Sequence, residues 1–267
     1  MVWANAYLKR ALTVSTLAIA ALALAQTVTT FTLQREDTDL IVSNRALAAD
    51  GARSIGNNVN CEEDTRMTIV YGPAPGHVET RVEDAILTSS LALIRSPRET
   101  GEEGEQDSLE LLDAAVAFSR PGCPETVTPA EVPRVTLSQG RTNVDGTRFF
   151  LDRGENVGHM EGPIRLTRAG EDGTTALEAS AESMEFEVGE QRATLSGAVT
   201  VTSDERTTTG DSLELDEAAG TAILRGEPAR STKGSDTLQG RVLLYYLDSD
   251  DVVVIGNVSG SIEIDLQ

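Results

Sequence analysis

The residue types that most often carry chemistry are few in this chain and lie far apart. The two histidines, His77 and His159, stand in a Pro/Gly-rich segment and a predicted turn, and neither has partners at a metal-ligand spacing. No nucleophile or phosphate-binding motif occurs. Asp248, Asp250 and Asp251 lack the glycine and the terminal glutamate of a calcium loop, so they are interpreted as a solvated turn. The sequence therefore predicts no catalytic residue, no metal and no cofactor. It favours a binding protein and not an enzyme.

Cys61 and Cys123 are the only cysteines. An even count in an exported protein favours one disulfide, which would close a loop of about 60 residues and stabilise the fold by about 4 kcal/mol in the chain-entropy model. Two free thiols are the alternative.

The first 25 residues have the three parts of a secretion signal. Lys9 and Arg10 form a basic start, residues 11–24 form an apolar run, and small residues at 23–25 form a cleavage site. The apolar run is shorter than the roughly 20 residues with which a helix crosses a membrane. We expect cleavage before Gln26 and export to an envelope compartment; a retained anchor is the alternative.

Composition and charge exclude some partners and favour a fold class. The formal net charge is −21, which argues against binding nucleic acid or an anionic membrane through a basic patch. Aromatic residues make up 4% of the chain, while Thr, Val, Leu, Gly and acidic residues are frequent. This composition is typical of many short strands separated by polar turns, so we expect an all-β protein.

The chain divides into two regions at about Pro133. Residues 26–134 form an irregular β region, with strands predicted at Thr29 to Leu33, Asp39 to Val42, Arg66 to Tyr71 and Asp84 to Ile94. Acidic and proline-rich stretches interrupt these strands. Residues 135–267 are built from a repeat.

Four glycines close the four units of this repeat: Gly162, Gly197, Gly226 and Gly256, spaced by 35, 29 and 30 residues. A small residue lies 16 positions before each: Gly146, Ala181, Gly210 and Gly240. Apolar residues recur 13 positions before (Phe149, Met184, Leu213, Leu243), 11 before (Leu151, Phe186, Leu215, Tyr245) and two before (Met160, Leu195, Leu224, Val254).

Each unit predicts a β-hairpin. Positions two apart point to the same face of a strand, so the first strand carries two inward residues and the return strand a third beside the glycine. Polar stretches such as Ser203 to Thr209 and Ser231 to Ser235 are interpreted as connectors between units. A strand glycine marks either a bend or a place where a ligand approaches the backbone, and both interpretations stay open.

The units resemble those of the OstA/LptA family of periplasmic lipopolysaccharide-transport proteins, which includes the periplasmic domains of LptC and LptD. The likeness lies in Leu195 to Val201, Gly210 to Asp216, Leu224 to Pro228, Leu238 to Val242 and Ile255 to Val258. It implies an OstA-like β-jellyroll, a twisted antiparallel β-sandwich of repeated hairpins. It also implies a periplasmic location, an apolar interior that holds acyl chains, and partners joined through edge strands.

The sequence therefore favours a carrier of lipopolysaccharide or another amphipathic envelope lipid between the inner and outer membranes. The candidate lining consists of the twelve apolar repeat residues, with Met160, Leu195, Leu224 and Val254 expected opposite the other eight. A closed dry core is the alternative for these residues. A second hypothesis is an envelope assembly protein without lipid cargo, which oligomerises through the edge of the strand predicted at Ser261 to Leu266.

Overall fold

The computed structural model describes residues 30–35, 38–45, 55–59, 61, 65–72, 74, 77–97, 107–119, 123–152, 154, 156–170, 175–187, 189–203, 205–247, 252–256 and 258–261. Every helix or strand assigned within these residues is a strand, so the predicted all-β class is confirmed. This part of the chain contains no helix that is long and apolar enough to cross a membrane. The secretion signal, the aspartates at 248–251 and residues 262–267 lie outside the described residues.

Short strands dominate the first half of the chain. They are β1 (Thr30–Arg35), β2 (Thr38–Arg45), β3 (Ile55–Val59), β4 (Thr65–Tyr71), β5 (His77–Val82), β6 (Ala85–Ser89), β7 (Leu91–Pro97), β8 (Ser108–Leu112), β9 (Ala114–Phe118), β10 (Pro124–Pro129), β11 (Val135–Gln139), β12 (Thr142–Gly146) and β13 (Arg148–Asp152). The single strand expected at Asp84 to Ile94 is interrupted at Ser90, where β6 ends and β7 begins after it.

Long strands dominate the second half. They are β14 (Val157–Ala169), β15 (Thr175–Glu187), β16 (Arg192–Ser203), β17 (Arg206–Asp216), β18 (Thr221–Lys233) and β19 (Asp236–Tyr246), followed by β20 (Val252–Ile255) and β21 (Ser259–Ser261). His159 lies inside β14 and not in the turn expected for it.

Nineteen strands form one antiparallel sheet that is folded into two facing layers. Backbone pairing defines layer 1 as β3, β4, β7, β8, β13 and β20. It defines layer 2 as β1, β2, β5, β6, β11, β12 and β21. The six long strands β14 to β19 run through both layers. The pairings β6–β11 and β8–β13 cross Pro133, and the division into two regions stays a prediction.

The long strands change layer where their pairing is interrupted, and we call this row of interruptions the fold line. Pairing stops and resumes between Glu161 and Ile164, between Ser196 and Val199, and between Arg225 and Ala229, with matching gaps in the neighbouring strands. A β-bulge bends a strand and increases its twist, so a row of interruptions can fold the whole sheet.

The recurring glycines and small residues lie on the fold line. A Cβ on Gly162 would lie 2.1 Å from the carbonyl oxygen of Glu182, so the backbones approach too closely there for any side chain. Gly197 has a φ of +85°, a left-handed conformation that glycine adopts without steric cost. These glycines therefore bend the strands, which is the first of the two interpretations given to them.

The polar stretches interpreted as connectors belong to strands of layer 2. Ser203 to Thr209 contains the end of β16 and the start of β17, and Ser231 to Ser235 contains the end of β18. Their inward positions include the buried residues Thr208 and Ser231. Since polar residues occupy both faces there, the alternation that would predict a strand is missing.

A separate hairpin, β9–β10, covers the outer face of layer 1 at its beginning. Beneath it lies a second, small apolar core of Met67, Ile69, Leu91 and Leu93, with Tyr71, Leu112, Val116 and Phe118 packed around it. Cys61 and Cys123 are joined by a disulfide, with Cα atoms 5.6 Å apart, and this bond ties the hairpin to the segment before β4.

Candidate functional site

The twelve repeat residues lie in two adjacent ladders of cross-strand neighbours on the inner face of layer 1. The inner ladder, beside the fold line, runs Val70, Ala92, Leu111, Phe149, Met160, Met184, Leu195, Leu213, Leu224, Leu243, Val254. The outer ladder runs Thr68, Ile94, Leu109, Leu151, Gly158, Phe186, Ala193, Leu215, Ala222, Tyr245, Val252.

Four of these residues were expected to face the other eight from the opposite side of the interior, and this expectation is wrong. Met160, Leu195, Leu224 and Val254 alternate with the larger set inside the inner ladder. The reason is that each return strand pairs directly with the strand before it, in the same layer. The spacing identified which residues point inward but not which layer faces them.

Layer 2 supplies the facing wall, which the repeat pattern did not predict. Its middle row, again linked by direct pairing, runs Val42, Thr80, Leu87, Leu137, Val144, Leu166, Ala179, Val201, Thr208, Ser231, Leu238. The alternation of apolar and polar residues in β11 and β12 was the signal that could have found part of it.

The two layers pack against each other with little space between them. Phe149, Phe186 and Leu215 belong to one continuous core with residues of layer 2 such as Leu137 and Leu166. Of the twelve repeat residues, only Val254 is not fully buried. A cavity of about 20 Å³ lies between the layers, lined by Leu137, Val144, Leu166, Met184, Phe186, Leu215 and the surrounding rim residues. It has room for about one water molecule.

The side opposite the fold line is closed by polar side chains and not by strand pairing. Arg168 of layer 2 lies with only 2% of its side chain exposed, and its Nε is 3.1 Å from Oε1 and 3.2 Å from Oε2 of Glu217 in layer 1. Its Nη1 donates to the carbonyl of Leu247 at 3.0 Å. The hydroxyl of Thr142 donates to the same Glu217 carboxylate. We call this group of four residues the latch.

Neighbouring groups hold the latch carboxylate in place. Glu217 follows Asp216, whose Oδ1 accepts from the Ala219 N–H at 2.8 Å and whose Oδ2 accepts from Arg192 Nε at 3.1 Å. The Ala219 N–H, together with Arg192, holds the pKa of Asp216 below its ordinary value. Each carboxylate oxygen of Asp216 therefore accepts a hydrogen bond, and these two bonds fix the start of the turn that presents Glu217.

A second contact joins the two layers farther along the same side. Asp84, in the turn between β5 and β6 of layer 2, accepts from Gln191 of layer 1 at 3.0 Å. It also accepts from Gln139 at 2.7 Å. The side chain of Glu83 lies against Gly189, where an added Cβ would meet its carboxylate at 2.8 Å. Side-chain and turn contacts of this kind can separate without breaking a strand ladder.

The described residues contain no cluster of three or more His, Cys, Asp or Glu side chains that could hold a metal ion. The geometry is a closely packed apolar interior, one side of which is closed by side-chain and turn contacts and not by strand pairing.

Solved structures include chains that are similar to this one, whereas no family model and no curated protein matches it. The crystal structure of LptH from Pseudomonas aeruginosa, described as the LptA-homologous periplasmic component of a lipopolysaccharide transport device, is similar at 11% identity and a TM-score of 0.39. The match covers 46% of this chain and 95% of that one. At this identity and TM-score it assigns no ligand or partner to this chain.

Proposed function

We propose that this chain is a periplasmic protein that binds lipopolysaccharide or another amphipathic lipid in the space between its two layers and carries it between the inner and outer membranes. The observation that supports this proposal is the asymmetry of the interior. One long side is a continuous folded sheet, while the other is held by the latch and by the Asp84 contacts.

The apolar ladders fit an acyl chain as a partner. Each methylene removed from water contributes up to about 0.8 kcal/mol, so about 10 kcal/mol is the upper limit for a chain of twelve carbons entering such an interior. The ladders run perpendicular to the strands along the length of layer 1, from Val70 to Val254. A lipid chain lying along a ladder would touch several strands in turn.

Binding behind the latch requires the layers to separate there, because the cavity at that place is far smaller than an acyl chain. Opening at the latch would expose Phe186 and Leu215, which lie directly behind it. We therefore assign these two residues to the entry side of the groove and the latch to its closure.

The experiment is native mass spectrometry with organic extraction of the protein purified from its own envelope fraction. The proposal expects bound lipid in the wild type and its loss when Phe186→Asp and Leu215→Asp are combined. Thr194→Asp with Ile223→Asp is the matched control, since these residues alternate with the ladder residues on β16 and β18 and point outward. Circular dichroism checks folding in both variants.

A latched variant tests the same proposal at the rim of the interior. Thr142→Cys with Glu217→Cys is designed to join the two layers by a disulfide, and Arg168→Met is added so that no buried charge loses its partner. Lipid loading should be blocked under oxidising conditions and restored by reductant, with the wild type treated identically as the control. Loading that is equal in the bonded and reduced states would contradict entry through this side.

The second candidate function, assembly through strand edges, has its own supporting observation. The edge strand β20 pairs only with β19 within the described residues, and Val253 and Ile255 are exposed on it. Assembly without cargo predicts concentration-dependent oligomers in lipid-free protein. A wild type that extracts without lipid and forms such oligomers would favour this function over carriage.

A further inference from the structure

The middle row of layer 2 changes from apolar to polar at the end of the interior near β19. From Leu87 to Val201 its members are apolar, but the next two, Thr208 and Ser231, are hydroxyl residues that are each only 1% exposed. Tyr245, at the corresponding end of the outer ladder in layer 1, donates its hydroxyl proton to Thr208. The interior therefore has an apolar length and a polar end.

Arg206 lies at this polar end. Its side chain points inward, where its Nη1 donates to Ser231 Oγ at 3.2 Å. Thr208 donates to the same oxygen at 3.1 Å. Its Nε is buried and has no hydrogen-bond partner. A buried guanidinium N–H without an acceptor lowers the stability of the fold, because its lost hydration is not replaced. A ligand that brought an acceptor to this N–H would remove that cost.

The charge of Arg206 itself is also not balanced by a carboxylate among the described residues. Arg206 takes part in no ion pair within the described part of the chain, although the protein has 43 acidic residues and 22 Lys and Arg residues. The other inward arginine, Arg168, is neutralised by Glu217.

We propose that Arg206, Thr208, Ser231 and Tyr245 form a binding site for the phosphate group of an anionic amphiphile whose acyl chain lies along the apolar part of the interior. This inference rests on the proposed function and adds the chemistry of the headgroup. A guanidinium presents planar, paired donors that match phosphate oxygens. Ser231 Oγ is the acceptor in both of its bonds, so its own hydroxyl proton is a further donor. The amphiphile is oriented with its headgroup at the β17–β19 end.

The test measures binding by calorimetry of dodecyl phosphate, dodecyl maltoside and inorganic phosphate, each below any micelle concentration, to the full chain. Arg206→Gln should weaken dodecyl phosphate by about ten-fold or more, the loss expected for a charge-assisted contact, and leave dodecyl maltoside unchanged. Arg230→Gln is the matched control, because Arg230 is exposed one position before Ser231 on the outer face. It should change neither affinity.

Three results would overturn the inference. Equal dodecyl phosphate affinities for the two variants would remove Arg206 from the site. Inorganic phosphate binding as tightly as dodecyl phosphate, with the same dependence on Arg206, would make this a site for a free anion and not for a lipid headgroup. Failure of the wild type to bind either dodecyl compound would reject the proposed function itself. Because Arg206 has no carboxylate partner, Arg206→Gln should keep the wild-type circular dichroism spectrum and melting temperature, which separates lost binding from lost folding.

Discussion

Glu217→Gln should lower the free energy of unfolding by about 3 kcal/mol. Removing one partner of a buried ion pair typically costs about 3–5 kcal/mol, because the remaining charge stays buried without compensation. Arg168 is almost completely buried, but Glu217 is 17% exposed and the Leu247 carbonyl still accepts from Arg168, so we expect the lower end of this range.

The complementary change removes both charges at once. Arg168→Met with Glu217→Leu replaces the ion pair by apolar side chains and should lie within about 1 kcal/mol of the wild type. The exposed pair between Arg165 and Glu178, whose atoms are 3.6 Å apart, provides the matched control. Glu178→Gln should cost less than about 1 kcal/mol, since exposed ion pairs contribute little.

The assay is urea denaturation followed by circular dichroism, combined with the rate at which bound lipid exchanges. A loss of 3 kcal/mol moves the urea midpoint by about 1 M if the slope is about 3 kcal/mol per M. Glu217→Gln should also speed exchange, while the apolar pair should slow it, because the latter holds the layers together without a charge that water can solvate. If Glu217→Gln cost no more than Glu178→Gln, the latch would be an ordinary surface ion pair and the reasoning would be refuted.

Three further outcomes follow from individual residues. Gly162→Ala should lower the free energy of unfolding by about 2–3 kcal/mol, because its Cβ would meet the Glu182 backbone. Gly234 has a positive φ but open space around it, so Gly234→Ala should lower it by about 1 kcal/mol. Urea midpoints of the two variants measure the difference. Cys61→Ser with Cys123→Ser should lower stability by about 4 kcal/mol, given the 62-residue separation, and a change below about 1 kcal/mol would contradict the loop-entropy argument. Because the pKa of Asp216 is lowered in the folded protein, its contribution to stability is present above the ordinary value of 3.8 and is lost as the pH falls through the lower folded value. The difference in urea midpoint between the wild type and Asp216→Asn should therefore shrink in strongly acidic solution. A difference that stays constant with pH would contradict this prediction.

Layer 1 could be predicted from the sequence because its inner face is apolar at every repeat. Phe149 and Leu151, or Leu213 and Leu215, lie two positions apart, and a large residue returns two positions before each glycine. These spacings are what an antiparallel ladder requires when each strand pairs with the next. These spacings join residues that are close in the chain, so they can be identified in a single sequence without knowledge of the fold.

Layer 2 and the latch could not be predicted in the same way. The inward positions of β17 and β18 in layer 2 include Thr208 and Ser231, so hydropathy does not distinguish the inner face from the outer one. Arg168 and Glu217 are 49 residues apart, and their contact depends on how far layer 2 is displaced along layer 1. No local preference fixes that displacement, because it results from the twist accumulated over many strands.

A closely packed interior and lipid carriage are compatible if the lipid replaces contacts between the layers and does not fill a cavity already present. The space of about 20 Å³ behind the latch means that each methylene entering the interior displaces side-chain contacts of Phe186, Leu215 or their partners. The gain per methylene should then be smaller than the full transfer value of about 0.8 kcal/mol, which corresponds to about four-fold in affinity. Alkyl phosphates of eight to fourteen carbons, titrated by calorimetry, should therefore gain clearly less than four-fold per methylene. A full four-fold gain would indicate a groove that is open before lipid arrives, and it would remove the need for the latch to separate.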